Sequence, residues 1–218
     1  MIPWDELSSV FLDMDGTLLD LHFDNHFWLS HVPQRYAEMH GISHEAAQVE
    51  LGPRYDRVAG AMNWYCVDYW SRELQLDILR LKEEVAHLIA VHPHVVDFLE
   101  AVRRSGKRLV LVTNAHHKSL ALKMERTRLQ GYFDAVISAH DIGVPKEDLT
   151  FWQQLQTREH FDPAATLLVD DSLPVLRSAE KYGIKHLLAV MQPDTRQADK
   201  DTGGFAAIRD FRDILPGV

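Results

Sequence analysis

The sequence predicts an α/β fold with a doubly wound parallel sheet and a helical insert. Three observations predict it: five apolar runs of strand length, helix-patterned connectors between them, and one long interruption with helical periodicity only. The runs are 8–13 (SSVFLD), 108–113 (RLVLVT), 134–139 (DAVISA), 166–170 (TLLVD) and 186–190 (HLLAV). Each is short and apolar, as a buried strand is, and the first ends in an acid before a Gly16-Thr17 turn.

The connectors support the strands. Residues 95–105 carry Val95, Phe98, Leu99 and Val102 at helical spacing and stop before Gly106. Residues 119–130 carry Leu120, Met124 and Leu129, with Gly131 following. Residues 149–157 and 173–182 are also predicted helices, the second ending at Gly183. Strands alternating with helices require right-handed crossovers, hence a Rossmann-like sheet.

Residues 21–93 break the alternation. They carry no strand pattern. A helix is predicted over 73–90 from Leu76, Leu79, Leu81, Val85, Leu88 and Ile89. Trp64, Tyr65, Tyr69 and Trp70 have the spacing of a helix packing into the same insert. The chain therefore divides into a core of 1–20 with 94–218 and a helical domain of 21–93. Residues 192–204 are polar and predict a loop.

Composition narrows the function. Hydrophobic content of 46% and charged content of 25% are those of a globular protein. No apolar run reaches the ~20 residues that span a bilayer, so no membrane partner is expected. The net charge of −9, with no basic block, argues against a nucleic-acid polymer as partner. An acidic N-terminus without a signal-peptide pattern and a single cysteine, Cys66, fit a cytoplasmic protein. Thirteen histidines invite a metal site, but His92, His94, His116 and His117 have no partners at ligand spacing.

Ligands of open α/β sheets bind at the carboxyl ends of the strands. The predicted strands end in Asp13-Met14-Asp15-Gly16-Thr17, in Thr113-Asn114 and in Asp170-Asp171-Ser172, and Lys146 lies in the loop after the third. Clustered carboxylates raise one another's pKa unless a cation joins them, and oxygen ligands of this kind suit Mg²⁺. Lys146 and the Thr113 hydroxyl can hold phosphate oxygens, with backbone N–H groups of the turn after Asp13. Such an assembly suits phosphoryl transfer, which rests on positioning and charge neutralisation.

These residues also carry a resemblance. Phe11-Leu12-Asp13-Met14-Asp15-Gly16-Thr17-Leu18 resembles the first motif of the haloacid dehalogenase-like hydrolase superfamily, DxDGT after an apolar strand. Leu111-Val112-Thr113-Asn114, Pro145-Lys146 and Leu168-Val169-Asp170-Asp171-Ser172 resemble its second, third and fourth, in family order. The resemblance implies that Asp13 is a nucleophile forming an aspartyl-phosphate, and that Asp15 is the general acid and then base. It implies Mg²⁺ held by Asp13, the Asp15 carbonyl, Asp171 and, directly or through water, Asp170. It implies phosphate binding by Thr113, the Asn114 N–H and Lys146. Family dehalogenases lack an acid two residues after the nucleophile, since a halide leaves without a proton; Asp15 favours phosphate esters.

In this superfamily a helical insert at this position is a cap that excludes water and selects substrate. Segments 20–28 (DLHFDNHFW) and 63–70 (NWYCVDYW), with Ala115-His116 and Glu147-Asp148, are similar to a group of bacterial GMP/IMP nucleotidases. A purine nucleoside 5′-monophosphate is the favoured substrate on that resemblance, with cap aromatics stacking on the base and Asn63 or Asp24 reading its edge. A phosphosugar phosphatase or mutase of the same superfamily, and a non-enzymatic ligand-binding protein on this fold, are the alternatives.

Overall fold

The computed structural model describes residues 2–216. Its sheet has six parallel strands in the order β3-β2-β1-β4-β5-β6. They are β1 (Ser9–Leu12), β2 (Arg108–Thr113), β3 (Ala135–Ser138), β4 (Thr166–Asp170), β5 (His186–Val190) and β6 (Ala207–Ile208). The chain builds outward from β1 on one side, then returns to β4 on the other. The strand order therefore switches between β1 and β4, where such sheets open a crevice at their carboxyl ends.

The strands are apolar throughout because helices cover both faces. Val10, Leu12, Leu109, Leu111, Leu167 and Val169 face one side and pack in one buried cluster with Val95, Phe98, Leu99 and Val102 of the helix Val95–Arg104. Phe11, Val110, Val112 and Leu168 point the other way. They meet Phe151, Trp152 and Leu155 of the helix Leu149–Arg158 and Val175, Leu176 and Ala179 of the helix Leu173–Tyr182. The alternation within each strand is the two-residue period of a β-strand, split between two cores.

Numbered along the chain, the helices are α1 (His22–His26), α2 (Val32–His40), α3 (His44–Val58), α4 (Met62–Tyr65), α5 (Val67–Leu74), α6 (Ile78–Glu84), α7 (Val95–Arg104), α8 (His117–Thr127), α9 (Ala139–Ile142), α10 (Leu149–Arg158) and α11 (Leu173–Tyr182). A π-helical segment, Phe27–His31, joins α1 to α2. Helices α1 to α6 lie between β1 and β2 and close around a third apolar cluster, with Phe23, Phe27, Tyr36, Leu51, Trp70, Ile78 and Leu81 at its centre.

Two helices differ from the sequence pattern. The helix expected over 73–90 is interrupted: α5 ends at Leu74, Gln75 takes a left-handed conformation at φ 55°, and α6 begins after Asp77. The Asp77 side chain accepts from the Arg80 N–H at 3.0 Å, an N-cap that starts a new helix where periodicity alone continues the old one. The aromatic segment is likewise split at Cys66, in an extended conformation between α4 and α5. The sheet also gains β6, which pairs Ala207 with Ala189 and Ile208 with Val190 inside a segment with no strand signal.

Gln75 is exposed and non-glycine in the left-handed region, where Cβ crowds the backbone. Gln75→Gly is therefore expected to raise unfolding stability by up to about 1 kcal/mol, and Asp77→Ala to lower it by about 1 kcal/mol. Urea denaturation of both variants checks this; a destabilised Gln75→Gly contradicts the strain argument.

Candidate active site

The crevice at the β1/β4 switch gathers the residues that end the strands. Asp13 follows β1, and Thr113 and Asp170 end β2 and β4. Asp13, Thr113, Asn114, Lys146 and Asp170 are all buried. Gly16 has φ +82°, and a Cβ there would stand 2.9 Å from Asp171 Cγ. Only glycine lets the loop after β1 turn this tightly against the loop after β4.

Lys146 lies at the centre. Its Nζ donates to Asp13 Oδ1 at 2.5 Å, to Asp170 Oδ2 at 2.7 Å and to the Val112 carbonyl at 3.0 Å. All three ammonium protons are thus used. The backbone N–H of Lys146 donates to Asn114 Oδ1 at 3.0 Å, and Asn114 Nδ2 donates to Glu147 Oε2 at 2.9 Å. Glu147 Oε1 accepts from the Tyr65 hydroxyl, which comes from the inserted helices. The Thr113 hydroxyl oxygen accepts from the Ala115 N–H at 3.0 Å, which leaves its proton free to donate.

Asp15 belongs to a second network. Its Oδ1 accepts a hydrogen bond from Lys123 Nζ at 2.6 Å, and Lys123 also donates to Asp24 Oδ2 at 2.6 Å. Asp24 Oδ1 accepts from Lys82 Nζ at 3.1 Å, and that ammonium lies 4.3 Å from the centroid of the Phe27 ring. This chain of alternating charges runs from the β1 loop through α8 into α1 and α6.

Burial raises the acids of both networks, with Asp24 the exception. Burial, opposed by Lys146 and reinforced by Asp170, pushes Asp13 up to about 6. Burial raises Asp15 to about 6 as well, with Lys123 opposing and Asp24 and Asp13 adding to the rise. Burial, against Lys200 and with Asp13, brings Asp171 to about 6, and Asp170 is raised by burial and by Asp171 against Lys146. For Asp24 burial works the same way, yet two ammonium groups override it and hold its carboxyl at about 2.

Carboxylate oxygens of Asp13, Asp170 and Asp171 lie within 4.8 Å of one another. Two buried acids and a partly buried third so close, with raised affinity for protons, form a hard-oxygen set that a divalent cation fits. The Asp15 side chain is outside this set and turned to Lys123, so only its carbonyl is left for a metal.

Opposite these residues stand Asn25, Trp28, Tyr55, Trp64 and Tyr65 of the inserted helices, and the two walls enclose a cleft of about 380 Å³. The expectation that Asn63 or Asp24 reads a ligand's edge is not met. Asn63 is exposed and lies outside the cleft, and both Asp24 oxygens are taken by lysines. Trp70 is fully buried in the insert's core, as the helical spacing predicts, whereas Trp64 and Tyr65 line the cleft.

Lys123 and Lys82 were not among the sequence-predicted residues. The signal was available. Lys123 sits between Leu120 and Met124 on the buried stripe of α8, and Lys82 between Leu81 and Val85 on that of α6. A lysine within an apolar stripe implies a buried anion.

The haloacid dehalogenase-like hydrolase family model matches residues 10–189. GMP/IMP nucleotidase YrfG of Escherichia coli strain K12 is 38% identical over 217 residues, covering 100% of this chain and 98% of that protein. Among solved structures, a HAD phosphatase from Thermococcus onnurineus superposes with a TM-score of 0.80 at 24% identity, covering 95% of this chain and 96% of that one. L-2-haloacid dehalogenase from Xanthobacter autotrophicus shares the fold with a TM-score of 0.63 at 17% identity, covering 96% and 97%. The chain belongs to the haloacid dehalogenase-like hydrolases and is one of the phosphatases among them.

Proposed function

We propose that this phosphatase hydrolyses purine nucleoside 5′-monophosphates, GMP and IMP first, through an aspartyl-phosphate on Asp13. The observation that carries the mechanism is the separation of two neighbouring acids. Asp13 is held by Lys146 among the clustered carboxylates, while Asp15 is turned away and held by Lys123. One is placed to attack and the other to handle a proton.

Asp13 attacks phosphorus as its carboxylate, and the bond from phosphorus to the ester oxygen breaks. Asp15, raised to about 6, donates a proton to that leaving oxygen. The resulting Asp15 carboxylate then takes a proton from water attacking the aspartyl-phosphate, which frees inorganic phosphate and restores Asp13. The Thr113 hydroxyl and the Asn114 N–H bind the phosphoryl oxygens, together with Lys146, which exchanges one of its three present partners for the ligand. Mg²⁺, which Asp13, Asp171, Asp170 and the Asp15 carbonyl would hold, supplies charge neutralisation for the transferring group. We assign residues 21–93 as the cap, whose helices roof the cleft and exclude bulk water.

The substrate reading is supported by the full-length relative named for GMP and IMP, and by the aromatic wall. Trp28 and Trp64 are near-parallel, with ring centroids 6.4 Å apart and an interplanar angle of 26°, and Tyr55 stands edge-on to Trp64. Flat indole faces suit a purine ring, which stacks without needing a particular hydrogen-bond pattern.

Phosphate release from nucleoside monophosphates and sugar phosphates tests the whole reading. It is expected to peak on GMP and IMP, to stop in EDTA and in Asp13→Asn, and to fall by about 10²–10⁴-fold in Asp15→Asn. With p-nitrophenyl phosphate, Asp15→Asn is expected to give a stoichiometric burst of nitrophenolate and then near silence. That leaving group departs without a proton, while hydrolysis of the intermediate still lacks its base. A peak on a sugar phosphate would sink the purine reading, and no release from any ester would sink the phosphatase mechanism.

Trp64→Leu keeps apolar packing and removes the stacking face. It is expected to raise KM for GMP at least fivefold, about 1 kcal/mol, and to leave p-nitrophenyl phosphate unchanged. Equal losses on both substrates would place Trp64 outside base recognition.

Mg²⁺ binding is expected to displace protons. In the metal-free protein Asp13 and Asp171 hold protons as pH falls through about 6, and a cation needs their ionised forms. Apparent Mg²⁺ affinity should therefore fall below pH 6, and proton release per ion should grow there. Calorimetry in buffers of different ionisation enthalpy measures both; pH-independent affinity between 5 and 8 contradicts the raised acids.

A further inference from the structure

Beside the cleft, three groups with no part in the chemistry above come together. Cys66 Sγ and one ring nitrogen each of His116 and His140 lie within 4.8 Å of one another. The expectation that the histidines lack partners at ligand spacing is corrected here, because the partners come from distant chain segments. Cys66 stands at the break between α4 and α5, His116 caps α8, and His140 lies in α9 after β3.

His140 is the informative member. Its Nε2 is buried and has no hydrogen-bond partner among the described residues. Leaving such a nitrogen unpaired in an interior forfeits its hydration with nothing in exchange. In the neutral ring with its proton on Nδ1, Nε2 carries a lone pair with nothing to accept. Burial, followed by the neighbouring His116 and His117, keeps the ring neutral by lowering it to about 4. A metal-bound histidine likewise has a neutral ring and a bare nitrogen, and one ring nitrogen here lies within ligand reach of Cys66 and His116.

We propose that Cys66, His116 and His140 bind a borderline-soft divalent transition metal, Zn²⁺ foremost, at a site separate from the carboxylate cluster. Thiolate and imidazole select such a metal, whereas the all-oxygen set of Asp13, Asp170 and Asp171 selects Mg²⁺. Tetrahedral zinc places its S and N ligands about 3.5 Å apart, so the three groups, now within 4.8 Å of one another, need to draw in by up to about 1.3 Å. Two competing contacts are weak. Cys66 Sγ accepts from the Tyr69 N–H at 3.4 Å, and His116 Nδ1 from the Lys118 N–H at 3.3 Å. Asp68 bonds Lys118 at 2.6 Å and lies 3.7 Å from His116 Nε2, so the protein supplies three ligands and water the fourth. The ion ties the inserted helices, through Cys66, to the loops after β2 and β3. It therefore pins the roof of the cleft two residues from Asn114.

The test uses the full-length protein with excess Mg²⁺ to fill the carboxylate cluster, titrated with Co²⁺ and then Zn²⁺. One equivalent of Co²⁺ is expected to give a thiolate-to-cobalt charge-transfer band that Zn²⁺ bleaches, and Zn²⁺ is expected to raise the melting temperature. Asp171→Asn should keep the band. Cys66→Ser should lose it and weaken Zn²⁺ binding at least tenfold. If Cys66→Ser folds poorly, His140→Asn serves: its thiolate is intact, and Zn²⁺ affinity should fall at least tenfold at unchanged circular dichroism. Wild-type protein that shows no thiolate band overturns the proposal. So does Zn²⁺ binding that is equal in wild type and both variants, since the ion then sits on the carboxylates or the surface.

Discussion

The buried ammonium of Lys146 is the interaction on which the crevice depends. It links the loop after β1 to the last residue of β4 and to a carbonyl of β2, and so ties together the carboxyl ends of the three central strands. Asp13 and Asp170 in a dry site would repel one another and take up protons. One cation shared between them lets both stay close enough to serve a single ligand. Its loop is tied down in turn by Asn114, and Trp152 Nε1 donates to the Lys146 carbonyl at 3.0 Å. The position of one charge is thus secured by the second strand's end and by the packed face of α10.

The wider electrostatics follow from that arrangement. Asp13, Asp15, Asp24, Asp170 and Asp171 face Lys82, Lys123, Lys146 and Lys200, five acids against four ammonium groups. The lysines are allotted unevenly. Asp24 has two and stays well below the usual carboxylate range, whereas Asp13, Asp15 and Asp171 lie above it. Raised acids lie where the strands end, and the lowered one lies on the inserted helices. Asp13 and Asp15 are raised alike and differ in partner, Lys146 for one and Lys123 for the other.

Much of this was legible in the chain, for identifiable reasons. The strands β1, β2 and β4 are buried on both faces along their middles, so 10–12, 109–112 and 167–169 are apolar without interruption. The polar residues that end them stand out against those runs, which is how Asp13, Thr113 and Asp170 were found. β6 escaped because two residues cannot display a period. The break at Gln75 escaped because an apolar stripe continues across a turn when both helices face the same core. Lys123 and Lys82 escaped because a lysine is read as solvated until its neighbours on the helix face are considered. Cys66, His116 and His140 are separated by 50 and 24 positions in the chain, and only the packing of insert on core joins them.

The seam between the inserted helices and the sheet is worked largely in polar groups. Tyr65 meets Glu147, Asp68 meets Lys118, and Asp24 meets Lys123, while the apolar clusters on either side are distinct. An oily seam would weld the two parts, since separating it exposes hydrocarbon to water. A seam of this kind behaves as a latch. Every group it releases finds a substitute partner in water, so it can be undone and refastened many times without loosening either body it joins.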